Sequence, residues 1–77
     1  MGYITYMTKT TLRPVTSLAQ LEHLAATHDD YRALALAAAE NLGGTARNLP
    51  EAMRWLRINA METDDEQGVV EEVNFCR

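Results

Sequence analysis

The residues best suited to chemistry in this chain are His23, His28, Cys76 and a run of carboxylates between positions 62 and 72. A nucleophilic site needs Ser, Cys or Thr beside a base and an orienting acid. The single cysteine stands next to the last residue, far in sequence from both histidines, and no local motif joins them. The histidines are five residues apart. On a helix that turns them to different sides, whereas a shared metal wants a spacing near four. One cysteine and two such histidines do not make a zinc tetrahedron. Thr63-Asp64-Asp65-Glu66 lacks the alternating carboxylates, the glycine and the distant Glu of a calcium loop. Gly43-Gly44 stands outside any P-loop or dinucleotide-binding glycine pattern, and no strand leads into it. A chain of 77 residues also has little room for a substrate cleft. These positions predict no metal, no cofactor and no catalytic centre, so the expectation is a protein that is not an enzyme.

Length and composition predict one domain over residues 1–77. The 47% hydrophobic content is that of a folded chain rather than a disordered one. No apolar run approaches the roughly 20 residues of a membrane span. The start, MGYITYMTK, lacks the layout of a signal peptide, and the lone cysteine excludes an internal disulfide framework. The expected compartment is the cytoplasm. The formal net charge of −4 is uneven. Residues 62–77 carry Glu62, Asp64, Asp65, Glu66, Glu71 and Glu72 against Arg77 alone, while the preceding 61 residues are close to neutral. A general nucleic-acid binder shows the opposite bias.

The elements that must position these groups are ordered around an alanine-rich stretch, Asp30–Leu42. Ala and Leu dominate it, and Tyr31, Leu34, Ala35, Ala38 and Leu42 fall on one stripe at helical spacing. Asp29 or Asp30 offers a cap at its start, and Gly43 suits a left-handed residue at its end. Before it, Ser17 and Gln20 have the spacing of a capping box opening a helix at 17–28. His28 is expected as a partly buried helix-end residue and His23 as a solvent-facing one. After it, Asn48 and Pro50 open a third helix to about Met61, with Leu49, Ala52, Met53, Leu56 and Ala60 on its apolar stripe. The predicted core is Leu21, Leu34, Ala38, Leu42, Met53 and Leu56. Residues 62–68 have the composition of a loop. The β-rich ends, 3–12 and 69–76, read as strands: Val69, Glu71, Val73 and Phe75 alternate with Val70, Glu72, Asn74 and Cys76. The expected fold is therefore α+β, a β-α-α-α-β chain with a two-stranded antiparallel ribbon of the termini packed on three helices. Such a ribbon is marginal alone, which also makes a homodimer through an edge strand possible.

Two features point to binding. The acidic segment is either a solvated loop or a surface aimed at a basic partner. Trp55 and Ile58 lie off the apolar stripe of the third helix, beside Arg54 and Arg57. They either flank the core or form an exposed patch of the kind enriched in binding hot spots. The leading expectation is a non-enzymatic protein-binding module with partner-binding residues Glu62, Asp64, Asp65, Glu66, Glu71, Glu72, Trp55 and Ile58. Its partner would be a protein with a basic, nucleic-acid-binding surface, reached through carboxylates that imitate phosphates. In size and charge the chain is similar to phage-encoded anti-defence inhibitors, anti-CRISPR proteins among them, with no residue match behind the likeness. The alternatives are a small structural or oligomerising protein and a DNA-binding regulator. AAAENLGGTARNLPEAMRWLR loosely resembles helix-turn-helix regulators, which implies that Arg47, Arg54 and Arg57 meet DNA. Against that stand a long turn, Pro50 and the acidic flank, so direct nucleic-acid binding is not expected.

Overall fold

The computed structural model describes residues 12–77, and every regular element among them is a helix. They are α1 (Leu18–Thr27), α2 (Asp29–Asn41), α3 (Leu49–Thr63) and α4 (Glu66–Phe75). The expected strand at 3–12 lies outside the described residues, save for Leu12, which is in no strand.

Helices α1 and α3 begin where their capping residues stand. The Ser17 hydroxyl accepts the Gln20 N–H at 3.0 Å, and the Gln20 side chain accepts the Thr16 N–H in return. The Asn48 side chain accepts the Glu51 N–H at 3.0 Å, with Pro50 in the first turn. Only His28 separates α1 from α2, and its extended backbone (φ −128°, ψ 118°) folds one helix back on the other. His28 makes no side-chain cap to α2. Asp29 and Asp30 sit within the first turn instead of capping it, where their charge suits the positive end of the helix. At the far end the Gly43 N–H donates to the Glu40 carbonyl and the Gly44 N–H to Ala39, with Gly43 left-handed at φ +93°. This is the six-to-one and five-to-two bonding that glycine favours beyond a helix end.

The α+β expectation fails at the C-terminus. Residues 69–76, read as a strand, belong instead to a helix capped by Asp65, whose carboxylate accepts the Gly68 N–H at 2.9 Å. The reason lies in which valines are inside. Val69, Val70 and Val73 are all buried. Two adjacent residues and a third four positions on share one face of a helix, but in a strand Val69 and Val70 would face opposite sides. Valine loses a few tenths of a kcal/mol of helix propensity, and burying three of them outweighs that. The two-stranded ribbon has no counterpart among the described residues, and neither does an edge strand at 69–76 for a homodimer. The supposed loop at 62–68 contracts to Asp64 and Asp65 between two helices.

The core is where the spacing predicted it. Leu21, Leu34, Ala38, Met53 and Leu56 are buried, and Leu42 is half-buried against them. Leu36, off the main stripe of α2, is also half-buried against this core. Helices α2 and α3 each pack on all three of the others.

The stretch leading into α1 is held by side chains. The Tyr31 hydroxyl accepts the Arg13 N–H at 2.8 Å and donates to the Arg13 carbonyl at 3.1 Å. The Asn74 amide accepts the Val15 N–H at 2.8 Å and donates to the Val15 carbonyl at 2.9 Å. Gln67 donates to the Thr16 carbonyl, Arg77 donates to the Leu12 carbonyl, and the Glu66 carboxylate accepts the Leu18 N–H. Residues 12–18 thus lie against the C-terminal element, bonded to the side chains of a helix and its end rather than to the backbone of a strand.

Replacing Asn74 with Ala removes both bonds to Val15, whose side chain is buried, and should cost about 1–3 kcal/mol. Replacing the exposed neighbour Glu71 with Ala should change stability by less than about 0.5 kcal/mol. Urea denaturation of the two variants checks this, and equal midpoints would show that the clasp on residues 12–16 is absent.

Candidate functional site

Trp55 does not belong to the inner stripe of α3, so something else must cover it. The turn after α2 does. A Cβ at Gly44 would lie 2.6 Å from three indole atoms of Trp55, so the ring rests directly on the glycine backbone. Glu51 holds the rest of this turn, because its carboxylate accepts the Arg47 N–H at 2.8 Å. Between the turn and α3 runs an open groove of about 560 Å³, lined by Thr45, Arg47, Glu51, Arg54, Trp55 and Ile58. The indole Nε1 is buried and has no hydrogen-bond partner among the described residues. Carbons of Trp55 and Ile58 supply the groove's apolar lining, and Arg47, Arg54 and Glu51 supply its charge. Arg47 is almost fully exposed and stands 3.8 Å from Glu51, a pair worth little in water. Arg54 is exposed and has no hydrogen-bond or ion-pair partner among the described residues.

Beyond the groove the same side of α3 continues with Met61 and Glu62, at helical spacing from Ile58. Ile58 is 36% exposed and Met61 81%. Helix α3 therefore has two apolar faces. Ala52, Met53 and Leu56 are buried inside, while a second row runs from Trp55, half-buried at the edge of the core, to Ile58 and Met61 in solvent.

The structure brings Trp55 and Ile58 together and disperses the carboxylates expected to act with them. Glu62 is on the last turn of α3, near Ile58. Asp64 occupies the left-handed position that ends α3 (φ 53°), with the same backbone bonding as Gly43. Asp65 caps α4 and Glu66 accepts the Leu18 N–H, so both hold helices together. Glu72 accepts from the Asn41 amide, and Glu71 faces solvent on α4. Glu62, Asp64 and Glu71 have no side-chain partner among the described residues. Arg47, Arg54, Glu51, Thr45 and Met61 complete the groove and its row. Of these, Met61 was signalled by its three-residue spacing from Ile58, and Thr45 by nothing in the sequence.

The residues with chemical potential stay apart. His28, expected to be partly buried, is exposed, with its ring edge-on to Tyr31 at 6.1 Å between centroids. His23 is exposed on α1. Burial, and then the neighbouring Glu72 charge, push the Cys76 thiol up, which makes it a poor nucleophile at neutral pH. No group of three His, Cys, Asp or Glu among the described residues is placed to hold a metal ion. No described helix is long and apolar enough to cross a membrane. Comparison with protein-family models, with curated proteins and with solved structures finds no match to this chain.

The two aspartates at the α3–α4 turn should respond oppositely to substitution. Asp64→Gly relieves the left-handed conformation and removes a negative charge from the negative end of α3, raising stability by up to about 1 kcal/mol. Asp65→Ala deletes the cap of α4 and should lower it by about 1 kcal/mol. Thermal melts of both variants test the assignment, and a loss in both would contradict it.

Proposed function

We propose that the protein is a non-catalytic protein-binding module whose contact surface is the groove of α3 and the row Trp55, Ile58 and Met61 beside it. The observation that carries this reading is the second apolar face of α3. A surface helix of a small domain ordinarily shows one apolar stripe, and that stripe is already buried here. Apolar side chains contiguous in solvent mark interaction sites, and Trp and Arg are the residues most enriched at binding hot spots. The exposed guanidinium of Arg54 at the rim favours a partner segment that sets a carboxylate beside an apolar anchor. A cytoplasmic location belongs to the same proposal, supported by the lone cysteine.

A second reading within the same class rests on Glu62, Asp64 and Glu71, three carboxylates without internal side-chain partners among the described residues. They support an inhibitor that offers negative charge to a basic, nucleic-acid-binding protein. The DNA-regulator alternative has less support. Arg57 is bonded to Glu22 and Arg47 stands near Glu51, which leaves Arg54 as the cation of α3 without a partner among the described residues.

Affinity capture with paired variants separates these readings. Arg54→Glu with Ile58→Asp should abolish capture of the wild-type protein's main partner, while Asp64→Lys with Glu71→Lys should leave it within about twofold. The opposite pattern would replace the groove by the acidic surface. Duplex-DNA binding by wild type that is lost in the Arg54→Glu variant would replace both by the regulator.

A further inference from the structure

The outer face of α4 carries the most exposed large apolar side chain among the described residues. Phe75 is 84% exposed and, with Gly68, Glu71 and Glu72, borders a shallow depression. Phenylalanine in water is costly to maintain, and no described element covers it. One turn before it stands Glu71, exposed and without a partner among the described residues. The α3 groove presents the counterpart of each group, an apolar slot at Trp55 and Ile58 and, at its rim, the guanidinium of Arg54, which has no partner among the described residues.

We propose that the α3 groove receives the outer face of α4 from a second copy of this chain, with Phe75 of one copy against Trp55 and Ile58 of the other and Glu71 facing Arg54. This rests on the reading of the groove as a protein-contact surface and names its occupant. Charge and apolarity match in the same register: on each surface one aromatic or aliphatic anchor lies about one helical turn from one charge of opposite sign. An Arg–carboxylate pair at the edge of such a contact adds direction to an otherwise non-directional burial of carbon. The two surfaces differ and every copy carries one of each, so the contact is isologous where two copies exchange it reciprocally and heterologous where they do not. Two copies that exchange both contacts close as a dimer, and copies that exchange one at a time form a ring or a longer chain.

Sedimentation velocity of the full chain, carried to roughly 1 mM, tests the inference at the weak end of specific association. Wild type should self-associate, and less so in 1 M salt, where exposed charges are screened within about 3 Å. Phe75→Ser, Arg54→Glu and Glu71→Arg should each weaken association at least about tenfold. All three positions are exposed, so circular dichroism should show unchanged folding. Mixing the Arg54→Glu chain with the Glu71→Arg chain should restore association, because each reversed charge then meets its opposite. A wild type that stays monomeric over the whole range overturns the inference, as does association indifferent to the three substitutions or not restored by mixing. If the chain is monomeric while the Arg54→Glu, Ile58→Asp variant still loses a captured partner, self-association falls and the protein-binding reading stands. If that variant changes neither, both fall.

Discussion

The close approach of helices at the alanines of α2 is the constraint on which the rest of the structure depends. Ala35, Ala38 and Ala39 have no exposed surface, and Ala25 on α1 and Ala52 on α3 have none either. A methyl group keeps neighbouring backbones near enough for dense packing, so one short helix can touch α1, α3 and α4 at once. A chain this small has few large side chains to bury, and density replaces bulk. No polar or charged residue is buried among those described. The core therefore needs the three valines of α4 as its fourth wall, and only a helical α4 turns Val69, Val70 and Val73 inward together.

That packing fixes what is left outside. Once Ala52, Met53 and Leu56 face α2, the geometry of α3 directs Arg54, Ile58 and Met61 away from the core and leaves Trp55 at its edge. The turn after α2 then matters twice. Gly43 reverses the chain in a left-handed conformation, and Gly44 lets the Trp55 ring lie on bare backbone, which makes that turn one wall of the groove. The polar residues of α4 complete the frame by holding the backbone of 12–18 through Glu66, Gln67 and Asn74. What is exposed on α3 thus follows from what is buried on α2.

Most of this was legible where the signal is local. Ser17 with Gln20, Asn48 with Pro50, and Gly43 mark helix ends within a few residues, and the stripes of α2 and α3 appear at a spacing of three and four. The C-terminal helix was not legible by propensity, because Val69, Val70, Val73 and Phe75 are residues that strands favour. The deciding detail, two adjacent buried valines and a third four residues on, gains meaning only beside the face they pack against. The structural roles within the acidic run were hidden for a related reason. Glu66 bonds to a residue 48 positions earlier and Glu72 to one 31 positions earlier, so their structural roles are invisible to any local reading. Trp55 and Ile58 could be paired from helical spacing alone. The contribution of Thr45 and Arg47 depends on where the turn lies, and that is set by the contact between Gly44 and Trp55.

The central claim is that α3 has one apolar face inside and another in solvent, and two methionines on that helix report on it directly. Met53 is 1% exposed and Met61 is 81% exposed. Brief treatment of the dilute native protein with hydrogen peroxide, followed by peptide mass spectrometry, reads the formation of sulfoxide at each. The account predicts rapid oxidation of Met61 while Met53 is protected until the protein is unfolded. Equal rates in the native state, or protection of Met61 with oxidation of Met53, would contradict it.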